Sequence, residues 1–213
     1  MSNDTQFWLN WAVLALAAFG TISAVVVALF GNWFRASLAP PKLNLALKSE
    51  RGDKTPATIK SPDGSASTLI GRWYHLEVSN HRRWSPATQV QVFLLRVEER
   101  DATGEHKVTW VGEVPLRWKY QGMNPLLRTI GHSVDCDLCS VVKDKWVSLE
   151  VLISPSALET VRPGATDIIV TVQARSIEVD SQMLRIRIAW DGKWSDDADD
   201  MAQHMVVREI EEP

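Results

Sequence analysis

The first pattern along the chain is an unbroken apolar run. From Trp11 to Gly31 it reads WAVLALAAFGTISAVVVALFG, 21 residues without a charged side chain. As a helix rising about 1.5 Å per residue, such a run reaches roughly 32 Å, against a hydrocarbon core of about 30 Å. Trp8 and Trp11 on one side, and Trp33 with Phe34 on the other, stand where an interfacial aromatic belt belongs. Thr21 and Ser23 are tolerated because a helical hydroxyl can donate to the carbonyl one turn back. The pattern predicts one transmembrane helix over residues 11–31, a short segment 1–10 before it, and a juxtamembrane linker 32–41 ending at Pro40-Pro41.

A cleaved secretory signal is the competing reading, and three features oppose it. Residues 1–10 contain no Lys or Arg, the apolar run exceeds an ordinary signal core, and Pro40 directly follows the small-residue site Ser37-Leu38-Ala39. Flanking charge then sets the orientation. The N-terminal flank has no basic residue, whereas residues 32–51 hold Arg35, Lys42, Lys48 and Arg51. The positive-inside rule places the N-terminus outside and the following domain in the cytoplasm, at a cell inner membrane. Ala17, Gly20, Ala24 and Ala28 form a small-xxx-small ridge, which lets two helix backbones approach closely and points to self-association.

Beyond Pro41 the period changes to two. Leu43, Leu45 and Leu47 alternate with polar residues, as do Tyr74, Leu76 and Val78, and Leu184, Ile186, Ile188 and Trp190. Val90, Val92 and Leu94 alternate too, but Phe93, Leu95 and Val97 fill the opposite phase, so that strand is buried on both faces or carries a bulge. Residues 108–114, 146–153 and 168–174 complete the set. Turn signals at Ser61–Gly64, Asp101–Gly104 and Arg162–Gly164 separate the runs, a helical turn is expected at Pro155–Thr160, and no long amphipathic helix intervenes. The fold class is mainly β: an antiparallel sandwich (or barrel) over residues 42–194, preceded by one transmembrane helix.

Leu76-Glu-Val-Ser-Asn80, a basic turn, and Ser85-Pro-Ala-Thr-Gln-Val-Gln-Val92 resemble bacterial immunoglobulin-like domains, where a strand ending Val-x-Asn meets a turn, then Pro-Ala and a second alternating strand. The layout is also similar to bacterial single-pass membrane proteins carrying such a domain. The resemblance implies an immunoglobulin-like sandwich and carries over no activity.

Charge sharpens the picture. The chain has 213 residues and a net charge of −3. Asp4 is the one charge in residues 1–31, and residues 191–213 hold eight acids against two bases. That leaves 21 bases against 17 acids, or +4, for residues 32–190, so a strongly basic nucleic-acid face is absent and no nucleic acid is expected. The acidic segment 195–213 reads as a solvated tail with a short helix over Met201–Glu212.

Candidate chemistry is sparse. Cys136 and Cys139 have C-x-x-C spacing with His132 four residues earlier, a partial tetrahedral metal set that needs a fourth ligand. Buried free thiols are the bland reading of the same pair, and a redox motif or a disulfide are two more. Arg82, Arg83 and Trp84 share one turn, and Arg117 and Trp118 repeat that composition within Arg117–Tyr120; both are candidate ligand or partner contacts, with anionic headgroups among the partners. The bland readings are a solvated turn and a packed core aromatic. The sequence lacks a nucleophile elbow, a phosphate-binding loop, a zinc-protease motif and a dinucleotide fingerprint, so neither an enzyme nor a cofactor is expected. The expectation is a membrane-anchored, non-enzymatic module that binds a protein partner or ligand. A ligand-gated membrane effector sensing an anionic molecule through Arg82, Arg83 and Trp84 is the alternative, and an anchored periplasmic domain is a third.

Overall fold

In a computed structural model, residues 3–60, 66–119 and 126–211 are described. The turn expected at Ser61–Gly64 and the side chains of Trp33, Phe34 and Tyr120 lie outside those described. The chain divides after Pro40 into two units.

The first unit is a helix, α1, over Asn3–Leu38. It includes the expected 21-residue apolar span, Trp11–Gly31, with none of that span buried. The helix therefore extends past the apolar span on both sides, over residues 3–10 of the short N-terminal segment and 32–38 of the expected juxtamembrane linker. Nothing breaks the helix until Pro40-Pro41, where the residue before each proline is pushed out of helical geometry. Thr21 Oγ1 donates to Ala17 O at 2.9 Å, the carbonyl one turn back, as expected for a hydroxyl within an apolar helix.

The second unit is mainly β. Its strands are β1 (Leu43–Leu47), β2 (Asp53–Lys60), β3 (Ala66–Asn80), β4 (Ala87–Arg100), β5 (His106–Pro115) and β6 (Arg128–Ile130). They continue as β7 (Ser133–Val142), β8 (Trp146–Leu149), β9 (Val161–Pro163), β10 (Thr166–Arg175) and β11 (Leu184–Trp190). A short helix, α2 (Ala198–His204), leads into β12 (Met205–Ile210). One antiparallel sheet runs β1-β3-β7-β8-β9, with β2 also on β3; the other runs β12-β11-β10-β4-β5, with β6 also on β4. The fifteen-residue β3 carries β7 along one edge, while β1 and β2 share the other. Leu45, Tyr74, Leu76 and Val78 from the first sheet meet Val90, Val92, Leu94, Val170, Val172, Ile186 and Ile188 from the second in one core.

The double phase of β4 has both anticipated causes. Leu94 and Leu95 are both buried, and the register slips between Leu94 and Arg96 and again between Val97 and Glu98. Segment Leu116–Lys119 passes from sheet to sheet. Leu116 N–H donates to Val92 O, whereas Arg117 N–H donates to Glu150 O and Lys119 N–H to Asp135 O. Residues 155–158 make a turn, Leu158 N–H to Pro155 O at 3.0 Å, rather than the expected helical turn.

Two expectations are corrected. The domain does not end at residue 194, and residues 195–213 are not a solvated tail. Asp197 caps α2 by accepting from Asp199 N–H and Asp200 N–H, and β12 pairs with β11 from Met205↔Trp190 to Arg185↔Ile210. Met201, Met205 and Val207 all enter the core. The inward spacing changes from four (Met201 to Met205) to two (Met205 to Val207) where helix gives way to strand, so a single helical period over 201–212 misreads it.

Candidate interaction surface

The basic turn is built around one buried side chain. Asn80, 2% exposed, closes β3 at the end of the motif Leu76–Asn80. Its Nδ2 donates to Ser85 O (2.8 Å) and Ile130 O (3.2 Å). Its Oδ1 accepts from Lys42 N–H (3.1 Å) and Arg82 N–H (3.0 Å). One amide thereby satisfies four backbone groups drawn from the start of the domain, the turn and the end of β6. Ser85 N–H to Arg82 O at 2.9 Å closes the turn. Ser85 and Ala87 are buried, and Trp84 is left outside at 68% exposure. Exposed Arg83 reaches exposed His132 on the neighbouring turn, 3.3 Å from guanidinium to Nε2. A guanidinium only donates, so this contact requires His132 Nε2 to be the unprotonated ring nitrogen.

Arg117 and Trp118 do not form a second such cluster. Period two along Leu116–Lys119 turns Leu116 and Trp118 into the core and Arg117 and Lys119 outward. The indole of Trp118 donates to Leu126 O at 2.8 Å, with the Arg128 guanidinium 5.3 Å from the ring centroid. Arg117 faces Glu150 at 3.9 Å. Trp118 therefore holds the fold.

Cys136, Cys139 and His132 do not converge either. Both cysteines are free and buried in β7, while His132 is on the surface with Arg83. Among the described residues no group of three or more His, Cys, Asp or Glu side chains is arranged to hold a metal ion. In a regular strand residues 136 and 139 would face opposite sides. The register slip between Tyr74↔Cys139 and His75↔Asp137 turns both inward. Burial pushes both thiols far up from their ordinary range, with Asp137 adding to it at Cys136 and Glu150 at Cys139. The thiolate is the reactive form. Neither cysteine is therefore expected to react with a thiol reagent in native protein at neutral pH, and both should react after denaturation; prompt native labelling of either one would contradict this packing.

Along α1, Ala17, Gly20, Ala24 and Ala28 are exposed, and nothing lies within 4 Å of where a Cβ on Gly20 would stand. The small-residue ridge is open along the helix.

A polar cluster that the sequence did not announce lies on the outer face of the first sheet. His75, 6% exposed, places Nδ1 2.8 Å from Asp137 Oδ1. Its Nε2 lies 3.2 Å from Asp53 Oδ2 but without hydrogen-bond alignment. Lys119 Nζ reaches the same Asp53 oxygen at 2.9 Å, and Lys48 bonds Asp135 at 2.5 Å. The Lys119 hydrogen bond holds the Asp53 carboxyl below its ordinary range against the opposing effect of burial. Asp53, His75, Lys119 and Asp137, with Thr55 and Trp73, line a cavity of about 200 Å³. The available signal was the alternation Val134, Cys136, Leu138 against Asp135 and Asp137, which marks a strand with two outward acids.

No protein-family model matches the chain, and no curated protein is significantly similar to it. The functional reading therefore rests on the residues themselves. Of the surfaces described above, the Asn80-held turn presents a cation and an indole outward, and the His75 cluster spends its charges largely on itself.

Proposed function

We propose that this chain is a single-pass, membrane-anchored, non-enzymatic interaction module, with its N-terminus outside and an immunoglobulin-like β-sandwich held at the cytoplasmic face. The observation that carries the reading is the pairing of a 21-residue apolar helical span, none of it buried, with a β domain that fills its own core. A helix apolar all round that buries nothing in its own protein calls for a lipid environment. The immunoglobulin-like reading draws support from β3 and β4, consecutive in the chain and placed in opposite sheets. The Asn80-held turn with Trp84 and Arg83 is the surface through which the domain engages its surroundings.

Reporter fusions after Pro213 test the topology. A cytoplasm-only fluorescent reporter should glow, and a phosphatase active only outside should stay silent. The reverse pattern would put the domain outside and remove the charge argument from residues 32–51. Loss of the N-terminal segment from the mature protein, read by mass spectrometry, would replace the anchor with a signal sequence.

A further inference from the structure

Among the described residues of the β domain, Trp84 is the aromatic side chain left exposed. Its indole projects from a turn whose backbone is tied down by Asn80, so it is held outward rather than left loose. Beside it, Arg83, His81, Lys42 and His132 are exposed. Ile177, 67% exposed, is brought to the same end of the domain by its N–H, which donates to Thr88 O at 3.2 Å. The neighbouring acid is already occupied: Glu178 accepts from Thr88 N–H at 2.9 Å and from Thr88 Oγ1 at 2.5 Å. The end of the domain thus offers two large exposed apolar groups beside the cations Arg83 and Lys42, a composition that sits well at headgroup level.

Covalent connection decides between a lipid surface and a soluble partner. Lys42 is bonded to this turn on both sides, its N–H to Asn80 Oδ1 at 3.1 Å and its carbonyl from His81 N–H at 3.0 Å. Lys42 also follows Gly31, the last residue of the apolar span, by eleven positions. Eleven residues cover no more than about 40 Å even fully extended. Because α1 runs on to Leu38, the non-helical part of that link is only residues 39–41. A short tether gives an effective concentration on the order of millimolar, so a contact too weak to hold a free domain is still well populated. Cytoplasmic leaflets are anionic, and a guanidinium matches a lipid phosphate with paired donors.

We propose that the Trp84 turn is a lipid-docking surface: the indole enters the headgroup layer, and Arg83 and Lys42 bind the phosphates of anionic lipids. The inference rests on the reading of Trp11–Gly31 as a membrane span. It gives the anchored domain a preferred attitude on the bilayer and makes that attitude depend on lipid charge.

The test uses the full chain in nanodiscs of phosphatidylcholine, with or without phosphatidylglycerol. His81→Cys provides an exposed attachment point for an environment-sensitive fluorophore while Trp84 is kept, and the native cysteines are buried. Phosphatidylglycerol should shield the label from a water-soluble quencher, and raised salt should restore exposure. Arg83→Ala should lower the docked-to-free ratio about fivefold, in line with one basic residue at an anionic surface. Trp84→Ala should weaken docking in the same assay; its exposed position makes the variant safe for folding. Equal exposure of the label in both lipids, in chains that co-purify with the discs, would overturn the docking surface and leave the span intact. Failure of the chain to enter discs at all would overturn the span reading and the docking with it.

Discussion

Truncation after Trp194 is expected to leave no folded β domain. The segment looks expendable because its acids are exposed, yet it delivers Met201, Met205 and Val207 to the core and pairs all of β12 with β11. Each such side chain contributes roughly 1.5–3 kcal/mol when fully buried, so the three together approach the 5–15 kcal/mol that holds an average domain. Removing the segment also removes its own ordering cost, but it bares the side of Trp190 and Ile188 that β12 covers. The truncated chain should lose its cooperative thermal transition. Asp199→Asn with Asp200→Asn, at two exposed positions, should melt close to the parent. A truncated chain melting like the intact one would show that β12 is dispensable.

Asn80→Ala should be among the most damaging single substitutions in the domain. It strips partners from Lys42 N–H, Arg82 N–H, Ser85 O and Ile130 O at once. Each buried backbone group left unpaired costs about 1–3 kcal/mol, and partial rehydration of the turn lowers the sum, so a loss of roughly 3–5 kcal/mol is expected. For a domain of this size that corresponds to a fall in Tm of about 10 °C or more. Asn80→Asp supplies a control with a definite sign. The carboxylate keeps the two acceptor contacts but faces two carbonyls it cannot donate to, whereas the protonated acid regains one donor. This variant should therefore be less destabilised as pH falls through its carboxyl titration. A variant whose destabilisation does not change with pH would mean that the two carbonyl bonds carry little.

The legible parts of this fold were those in which one physical rule acts alone. The apolar run of α1 has no competing use for its side chains, and it stands out as Trp11–Gly31 within the longer helix. Strands with a clean period, such as Leu184–Trp190, were likewise visible. Strands β7 and β12 were hidden because a second pattern overlay the first. In β7 the C-x-x-C pair overlies the alternation Val134-Cys136-Leu138, and the register slip that turns Cys139 inward leaves no mark in the sequence. In β12 the change from helical to strand spacing falls on a single residue, Met205, behind a run of aspartates. The candidate sites divide the same way. Trp84 and Trp118 each stand beside arginines, and only strand phase separates them: Trp118 has inward parity on Leu116–Lys119, while Trp84 sits in a turn with no parity to obey. The His75 cluster draws on β2, β3, β7 and the sheet-crossing segment, so its members, from Asp53 to Asp137, are far apart in the chain and meet only once the register is set.

The place where Lys42 is fastened also has a mechanical meaning. Any tension transmitted along the chain from α1 enters the domain near Lys42 and pulls on β1, a five-residue edge strand paired antiparallel to β3. Tension applied at the end of such a ladder loads its bonds one after another, the weak direction of a hairpin-like pair. Here the first bonds loaded are not ladder bonds. They are Lys42 N–H to Asn80 Oδ1 and His81 N–H to Lys42 O, a latch set across the mouth of the zipper. Because the same asparagine fixes the Trp84 turn, a pull strong enough to open the latch would also release the turn, so tension on the chain and the presentation of that surface share one point of control.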